Sequence, residues 1–493
     1  MLSTDNSKTV LSKALLIHLN KLMINSNKNN IFLKKVYLAY SLERASFNGI
    51  RAMLILYLSE KYNLSEENVH LIFVSMLSLI LVIPLFLSYF LDKFHINKNI
   101  LIIGLILSIT GNLLLLKVNL QYLFIALSFI IYGTGLFRIK ITTIIGELSG
   151  YDHNKKEANY LKLLLFGSIG SIIGIIFFSC IGEIYGWIYS PILSTLSLIS
   201  AILILKTTNL NESYSLQEYQ KLTIVSLIII LLVFIFISIT NINLIQNSLL
   251  FFCIIGIIYI ICISPNYQKM FLTIYLVLVN FIFSIIFIQS ETSLVLFIEK
   301  HVDNKINFLN FIFSIPTTFF QSLVPIFIVI FVFITRILKN QSFNDIKNPL
   351  FKLNIGFIFL SFSMFILYYS SFSLKEPKQV HIYWIIISIL TLSISELLIS
   401  PTGMATINKL SLNKKSNIYM SLWLGSEGYA LLSSVIITKM TIITYDNNLS
   451  LSLKNYCEKF YLFSLLGLTI PILTGISYLL YYLYSIKQSH DKY

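Results

Sequence analysis

Tyr40-Ser41-Leu42-Glu43-Arg44-Ala45-Ser46-Phe47-Asn48-Gly49-Ile50-Arg51 lies inside an apolar run of about 23 residues, Val36 to Leu58, long enough to cross a bilayer as a helix. One carboxylate and two guanidinium groups sit within it. Each charge near the middle of a span costs roughly 2.5–3.5 kcal/mol to insert, so such charges are rarely idle. Positions 40, 43, 44, 47, 48 and 51 recur at helical spacing and are expected to share one face. Leu54, Ile55, Leu56 and Leu58 continue the span in apolar form. Arg51 alone could snorkel to the headgroups. Glu43 and Arg44 point instead into a helix bundle or a water-filled cavity.

Composition agrees with this reading. Of 493 residues 56% are hydrophobic and only 12% charged, where soluble domains carry about 25%. The expectation is an all-α integral membrane protein. The net charge of +14 does not point to nucleic acid, because Lys and Arg are scattered over short loops and form no basic stripe. Cys180, Cys253, Cys262 and Cys457 form no CxxC pair, so no disulfide framework, metal site or cofactor is expected. No phosphate-binding loop, HExxH or GxSxG is present, which argues against an enzyme. Residues 1–35 show no cleavable signal, and 10–24 are amphipathic enough to lie on a membrane surface.

About fourteen spans follow, near 36–58, 69–91, 99–116, 121–144, 160–181, 186–206, 221–240, 245–264, 270–298, 309–335, 351–370, 381–402, 417–441 and 461–486. Lys and Arg concentrate in alternate loops and in the tails, which puts both termini in the cytoplasm. The pair 221–240 and 245–264 carries essentially no charge. Setting it aside leaves six spans and six. The division is then a cytoplasmic segment 1–35, a six-helix bundle 36–206, a linker with two extra helices 207–264, a second six-helix bundle 265–486 and a cytoplasmic tail 487–493. Two such halves, with a ligand site between them at mid-membrane, are a transporter layout. Gly167, Gly170 and Gly174 offer a face for close helix packing. Pro316, Pro325 and Pro401 with Gly403 mark kinks or breaks.

Further charges lie within spans: Arg138 and Lys140, Glu291, Glu396, and Glu427 near Trp423. Lys140 and Lys162 are expected to reach the inner interface. Arg138 and Glu396 lie deep in their spans with opposite signs, and suit a zwitterion. Arg takes a carboxylate by two parallel hydrogen bonds, and Glu takes an ammonium. A desolvated carboxyl also holds its proton toward neutral pH, the elementary requirement for coupling transport to protons.

Together these segments resemble the proton-dependent oligopeptide transporter family of the major facilitator superfamily. Tyr40-x-x-Glu43-Arg44 and Phe47-Asn48-Gly49-Ile50-Arg51 are similar to its first-helix motif, Glu-x-x-Glu-Arg followed by Tyr-Tyr-Gly-x-Arg. Pro84 through Asp92-Lys93 resembles the superfamily's loop between helices two and three. Gly133-Thr-Gly-Leu-Phe-Arg138, Gly182-Glu-Ile-Tyr-Gly-Trp187, Ile315-Pro316 through Phe320-Gln-Ser-Leu323, and Glu396-Leu-x-x-Ser400-Pro401-x-Gly403 with Lys409-Leu410 and Trp423 resemble later motifs, in order, over about residues 37–430. The extra helix pair fits bacterial members.

The resemblance implies the major facilitator fold and a symporter importing di- and tripeptides with protons across a bacterial inner membrane, working as a monomer. Glu43 and Arg44 would serve proton coupling. Arg44, Phe47, Asn48, Arg138, Glu396 and Trp423 would contact peptide. Arg138 would pair with Glu396 as an inner gate when the site is empty. Arg51 would form the outer gate with Glu291, one turn beyond the family's acid position at Ile288. The chain departs from the family pattern at Tyr40 (an acid), Phe47 and Asn48 (tyrosines), Arg138 (a lysine) and Val324 (an asparagine). These departures motivate an alternative: an uncoupled facilitator, or a transporter of another small solute, on the same fold.

Overall fold

The computed structural model describes residues 31–54, 57–58, 66–94, 98–117, 119–150, 152–207, 267–290, 293–302, 305–308, 311–314, 319–337, 348–372, 380–411, 415–442 and 449–490, with scattered positions between 232 and 261. Lipid offers no partner for a free N–H or C=O, so apolar stretches of bilayer length must close their hydrogen bonds internally as helices. They do. The first bundle holds α1 (31–54, continued at 57–58), α2 (Glu66–Phe94), α3 (Lys98–Leu114), α4 (Leu120–Leu148), α5 (His153–Ile173) and α6 (Tyr189–Lys206). A π-helical turn, Gly174–Ser179, carries α5 into a short helix, Cys180–Tyr185. The second bundle holds α7 (Tyr267–Phe287), α8 (Phe319–Ile337), α9 (Pro349–Phe372), α10 (Ile382–Leu410), α11 (Ser416–Ile442) and α12 (Leu449–His490). Eight helices among the described residues are long and apolar enough to cross a membrane. This is the major facilitator architecture, two six-helix bundles with an additional pair between them. In that pair the described positions are helical, and Ile260 packs on Val82, Leu85 and Leu422.

The small-residue face of α5 does what its spacing promises. A methyl group on Gly170 would strike the Ser41 carbonyl, and one on Gly174 the Ala45 carbonyl. Glycine there lets the backbones of α1 and α5 approach, which fixes the rotation of α1 and so the direction of its charges.

The halves meet along two seams, α2 on α11 and α5 on α8 and α10. Ser78 Oγ donates to the Gly428 carbonyl across the first at 2.8 Å. A dense set of cross-half contacts gathers at the end where α1 and α11 begin and α4 stops. Lys352 Nζ lies 2.8 and 2.9 Å from the two Glu157 oxygens, and Thr402 Oγ1 donates to the same carboxylate at 2.9 Å. Lys156 Nζ donates to Asn408 Oδ1 at 2.5 Å, and Ser416 Oγ to Glu147 Oε1 at 2.5 Å. The Asp92 carboxylate caps α11, accepting from the Asn417 and Ile418 backbone N–H groups at 3.1 and 3.2 Å.

Several expectations need correction. The span placed at 309–335 begins at Phe319, because Lys305–Phe308 and Phe311–Ser314 form an antiparallel hairpin, β1 and β2, with Phe308 opposite Phe311. Phe and Ile in a short run fit a pleated pair as well as a helix. The span at 461–486 begins twelve residues earlier, at Leu449. Lys454, Glu458 and Lys459 masked it from a hydropathy reading, yet Lys454 and Glu458 face outward while Lys459 is buried, donating to Ser293 Oγ at 2.5 Å. Lys140 does not reach an interface; it is 1% exposed, in the field of Glu147 and Asp92. Lys162 is exposed. Neither Pro325 nor Pro401 breaks its helix, since α8 and α10 continue through them. The segment 10–24, Pro316, Glu291 and most of the extra helix pair lie outside the described residues.

Lys352 is 3% exposed, so its ammonium relies on Glu157. Glu157→Ala is expected to destabilise the protein by about 3–5 kcal/mol, the cost of leaving one partner of a buried pair alone. Glu157→Leu combined with Lys352→Met should recover most of that loss. Thermal unfolding in detergent measures both.

Candidate functional site

The two seams enclose a cavity of about 260 Å³. Its wall is built from both halves: Tyr40, Arg44, Phe47, Asn48 and Arg51 of α1, Arg138 of α4, Ser168 and Ser171 of α5, Asn280 of α7, Gln321 of α8, Glu396 and Ser400 of α10, and Trp423 and Glu427 of α11. Charges from four separate helices therefore face one chamber.

Arg44 is the most constrained of them. Its Nε and Nη2 donate to the two Glu43 oxygens at 2.8 Å each, a two-pronged pair with Glu43 1% and Arg44 5% exposed. Its guanidinium also lies 5.4 Å from the Tyr40 ring centre and 4.9 Å from that of Phe47. Ring faces carry negative potential, so both aromatics support the cation. Tyr40 thus supplies part of what a carboxylate at its position would supply. The Tyr40 ring fits because Gly167 has no side chain to meet it.

Glu43 itself is not in the chamber wall. It faces a small void of about 10 Å³ beside Ser108, Asn112 and Thr134. The expectation that it shares the face of positions 40, 44, 47, 48 and 51 is corrected by helix geometry. One residue is about 100° of rotation, so Glu43 sits well round from Arg44, on the side of α3 and α4. Glu43 touches the chamber through Arg44.

Asn48 Nδ2 donates to Ser171 Oγ at 2.8 Å and so links α1 to α5. Arg138 Nη2 lies 3.9 Å from Glu427 Oε1, the two side chains being 22% and 35% exposed. An acid on α11, Glu427, thus stands near Arg138 in addition to Glu396 on α10, the gate partner that the resemblance implies. Glu396 and Arg51 line the same chamber, partly buried. Ile288 and Val324 stand in the wall at positions where the family pattern has an acid and an amide.

Two wall residues had roles the sequence did not specify. Glu427 was noticed as an intramembrane charge, but nothing in the sequence told which way it faces. Asn280 donates to the Trp423 carbonyl at 2.8 Å and to Ser426 Oγ at 2.9 Å, tying α7 to α11; a lone Asn in an apolar run gave no signal beyond its polarity. Among the described residues no group of three His, Cys, Asp or Glu could hold a metal ion. The chamber's equipment is two-pronged donors, carboxylates and amides, which suits holding a small zwitterion by both ends.

Comparison with known proteins agrees with this architecture. The model of the POT family matches residues 94–450. The dipeptide and tripeptide permease A of Pectobacterium carotovorum subsp. carotovorum (strain PC1) is 22% identical over 465 residues, covering 90% of this chain and 89% of that protein. Its namesake in Serratia proteamaculans (strain 568) is 22% identical over 460 residues, covering 89% and 90%. Among solved structures, tetrameric PepTSo2 superposes with a TM-score of 0.72 at 16% identity, over 92% of this chain and 99% of that one. A POT family transporter in complex with 5-aminolevulinic acid gives 0.70 at 20% identity, over 90% and 95%.

The tip of the Trp423 indole, at Cη2, abuts Gly403, where any Cβ would overlap it. Gly403→Ala is expected to push the indole into the chamber and cost about 1–3 kcal/mol by overpacking. Trp423 emission, read with Trp187 and Trp384 replaced by Phe, should shift; an unchanged spectrum and unfolding midpoint would contradict the contact.

Proposed function

The chain belongs to the POT family, and from that premise we propose that it is a proton-coupled symporter importing di- and tripeptides by alternating access. One observation carries the reading: Arg44, Arg138 and Glu396, from three helices and both halves, face a single chamber. A peptide's carboxylate finds guanidinium donors there and its amino terminus finds Glu396, about the complement a zwitterion needs. Phe47, Asn48 and Trp423 line the space between them.

The bundles 36–206 and 265–486 are the moving units in this reading, with 207–264 as the linker, 1–35 and 487–493 as tails, and the segment 221–264 as scaffold. Both termini face the cytoplasm of a bacterium, across its inner membrane, as the Lys and Arg bias of the loops supports. The hydrogen-bonded end of Glu157, Lys352 and Asp92 is then the cytoplasmic one. Import requires those cross-half bonds to break while contacts near Arg51 form, with Glu291 as the proposed outer partner. One chain lines the chamber, which supports the monomer as the functional unit.

Glu43 is the proposed proton carrier. While ionised it holds Arg44 with two hydrogen bonds. Protonation weakens that grip and turns the guanidinium toward a peptide carboxylate, so a proton and a peptide are favoured together. A second reading, an uncoupled facilitator, is favoured by Ile288 in the chamber wall and by Tyr40 beside Arg44, since neither position carries an acid.

Uptake of a labelled dipeptide into proteoliposomes tests both. An inward proton gradient is expected to drive accumulation, with competition by di- and tripeptides and not by free amino acids. Arg44→Gln should reduce uptake by about two orders of magnitude, in line with roughly 2–5 kcal/mol for one member of a buried charge pair. Saturable exchange that ignores the gradient selects the facilitator. Uptake equal to protein-free vesicles across a peptide panel overturns the proposal.

A further inference from the structure

We propose that Glu427 is a specificity-determining residue that favours peptides carrying a cationic side chain; this deepens the peptide-transport reading and rests on it. Glu427 stands on α11 in one half and faces Arg138 on α4 in the other, across the chamber. At 3.9 Å the pair is looser than the pairs of Glu43 with Arg44 and Glu157 with Lys352, each at 2.8 Å. Both members are also partly exposed to the cavity, whereas Glu43, Arg44 and Lys352 are buried. A loose, wet pair is the one an incoming ion can open.

Opening it has a consequence that depends on the ligand. A peptide carboxylate that takes Arg138 by two parallel hydrogen bonds displaces Glu427. The Glu427 carboxylate then sits in a confined, partly dry space without the cation it faced, which is unfavourable. The peptide's own ammonium is already matched by Glu396, on a different helix. A lysyl or arginyl side chain brings a second positive group and restores a partner to Glu427. A neutral side chain leaves the carboxylate to water, and an acidic one adds repulsion. Glu427 and Arg44 also line the same chamber, so the position of Glu427 bears on both guanidinium groups that meet the carboxylate end.

The experiment compares competition by alanyl-lysine, dialanine and alanyl-glutamate against uptake of a labelled dipeptide in proteoliposomes. The native chain is expected to bind alanyl-lysine most tightly and alanyl-glutamate least. In Glu427→Gln the ratio of the dialanine to the alanyl-lysine inhibition constant should fall about tenfold, the usual scale for losing one charge-assisted contact, whatever happens to uptake itself. Glu427→Asp, which keeps the carboxylate, should retain the preference. Ligand-induced thermal stabilisation of the purified proteins gives the same ratios for any variant that transports too slowly. Equal weakening for all three peptides in Glu427→Gln, or no change in the ratios, overturns the assignment while leaving peptide transport standing. Failure of the native chain to take up any peptide removes the reading beneath it, and is seen before a variant is compared.

Discussion

The two hydrogen bonds from Arg44 to Glu43 are the contact on which the rest of the molecule depends. A lone guanidinium at mid-membrane would be costly, and a lone carboxylate equally so. Placed on adjacent residues of one helix, they neutralise each other without help from another span. That leaves the outer face of the Arg44 guanidinium to Tyr40, Phe47 and the chamber. The glycine stripe of α5 completes the arrangement, because only a close approach of α1 and α5 aims Arg44 inward. Buried charge, aromatic support and small-residue packing are thus one device.

A second regularity is the division of polar contacts along the membrane normal. At the end near Asp92, Glu147 and Glu157 the cross-half bonds are short, and each ties a partly buried acid to a buried partner, Asn417, Ser416 or Lys352. In the chamber, the ion pair described between the halves, Arg138 with Glu427, is longer and wetter. Short buried pairs resist opening, and loose ones yield to competing ions. The structure therefore holds one end shut by contacts that a ligand cannot reach. The contacts that a ligand can reach are weak. A switch driven by binding energy needs that asymmetry, since a ligand shifts an equilibrium only through groups it touches differently in the two states.

Much of this was legible in the chain. Charges inside apolar runs announced the chamber, because lipid makes idle charge expensive and leaves few explanations for it. The spacing of Gly167, Gly170 and Gly174 announced the α1–α5 contact. Direction was less legible. The i, i+3, i+4 pattern put Glu43 on the face of Arg44, yet adjacent residues stand about 100° apart on a helix, and Glu43 falls on the side of α3 and α4. Two acids of the same sign, Glu396 and Glu427, stand in the wall with Arg138, and sign alone does not say that Glu427 lies 3.9 Å from it; the relative placement of α4 and α11 does. Lys140 and Lys459 show the opposite failure. Each is a buried lysine that a linear reading sends to an interface or excludes from a span, because a tertiary partner is invisible along the sequence. The hairpin at 305–314 was hidden by composition, since Phe and Ile serve lipid-facing helix and pleated strand alike.

Charge balance gives the last constraint on what the chamber can accept. Among the described residues that line or back it, Arg44, Arg51 and Arg138 stand against Glu43, Glu396 and Glu427. A zwitterion entering such a site changes partners without changing net charge, so no uncompensated ion is created in a low-dielectric space. A peptide with one additional positive charge tips the balance only if an acid is released to meet it, and the loosely held Glu427 is placed to be that acid. An added proton raises the net charge of the site by one, so in the proposed mechanism its place matters. It is tolerated where it neutralises a carboxylate whose guanidinium has found another anion, and that condition holds for Glu43 once a peptide carboxylate engages Arg44. The proposed coupling of proton and peptide then rests on Arg44 exchanging one carboxylate for another, on a helix that carries one acid at this site and not two.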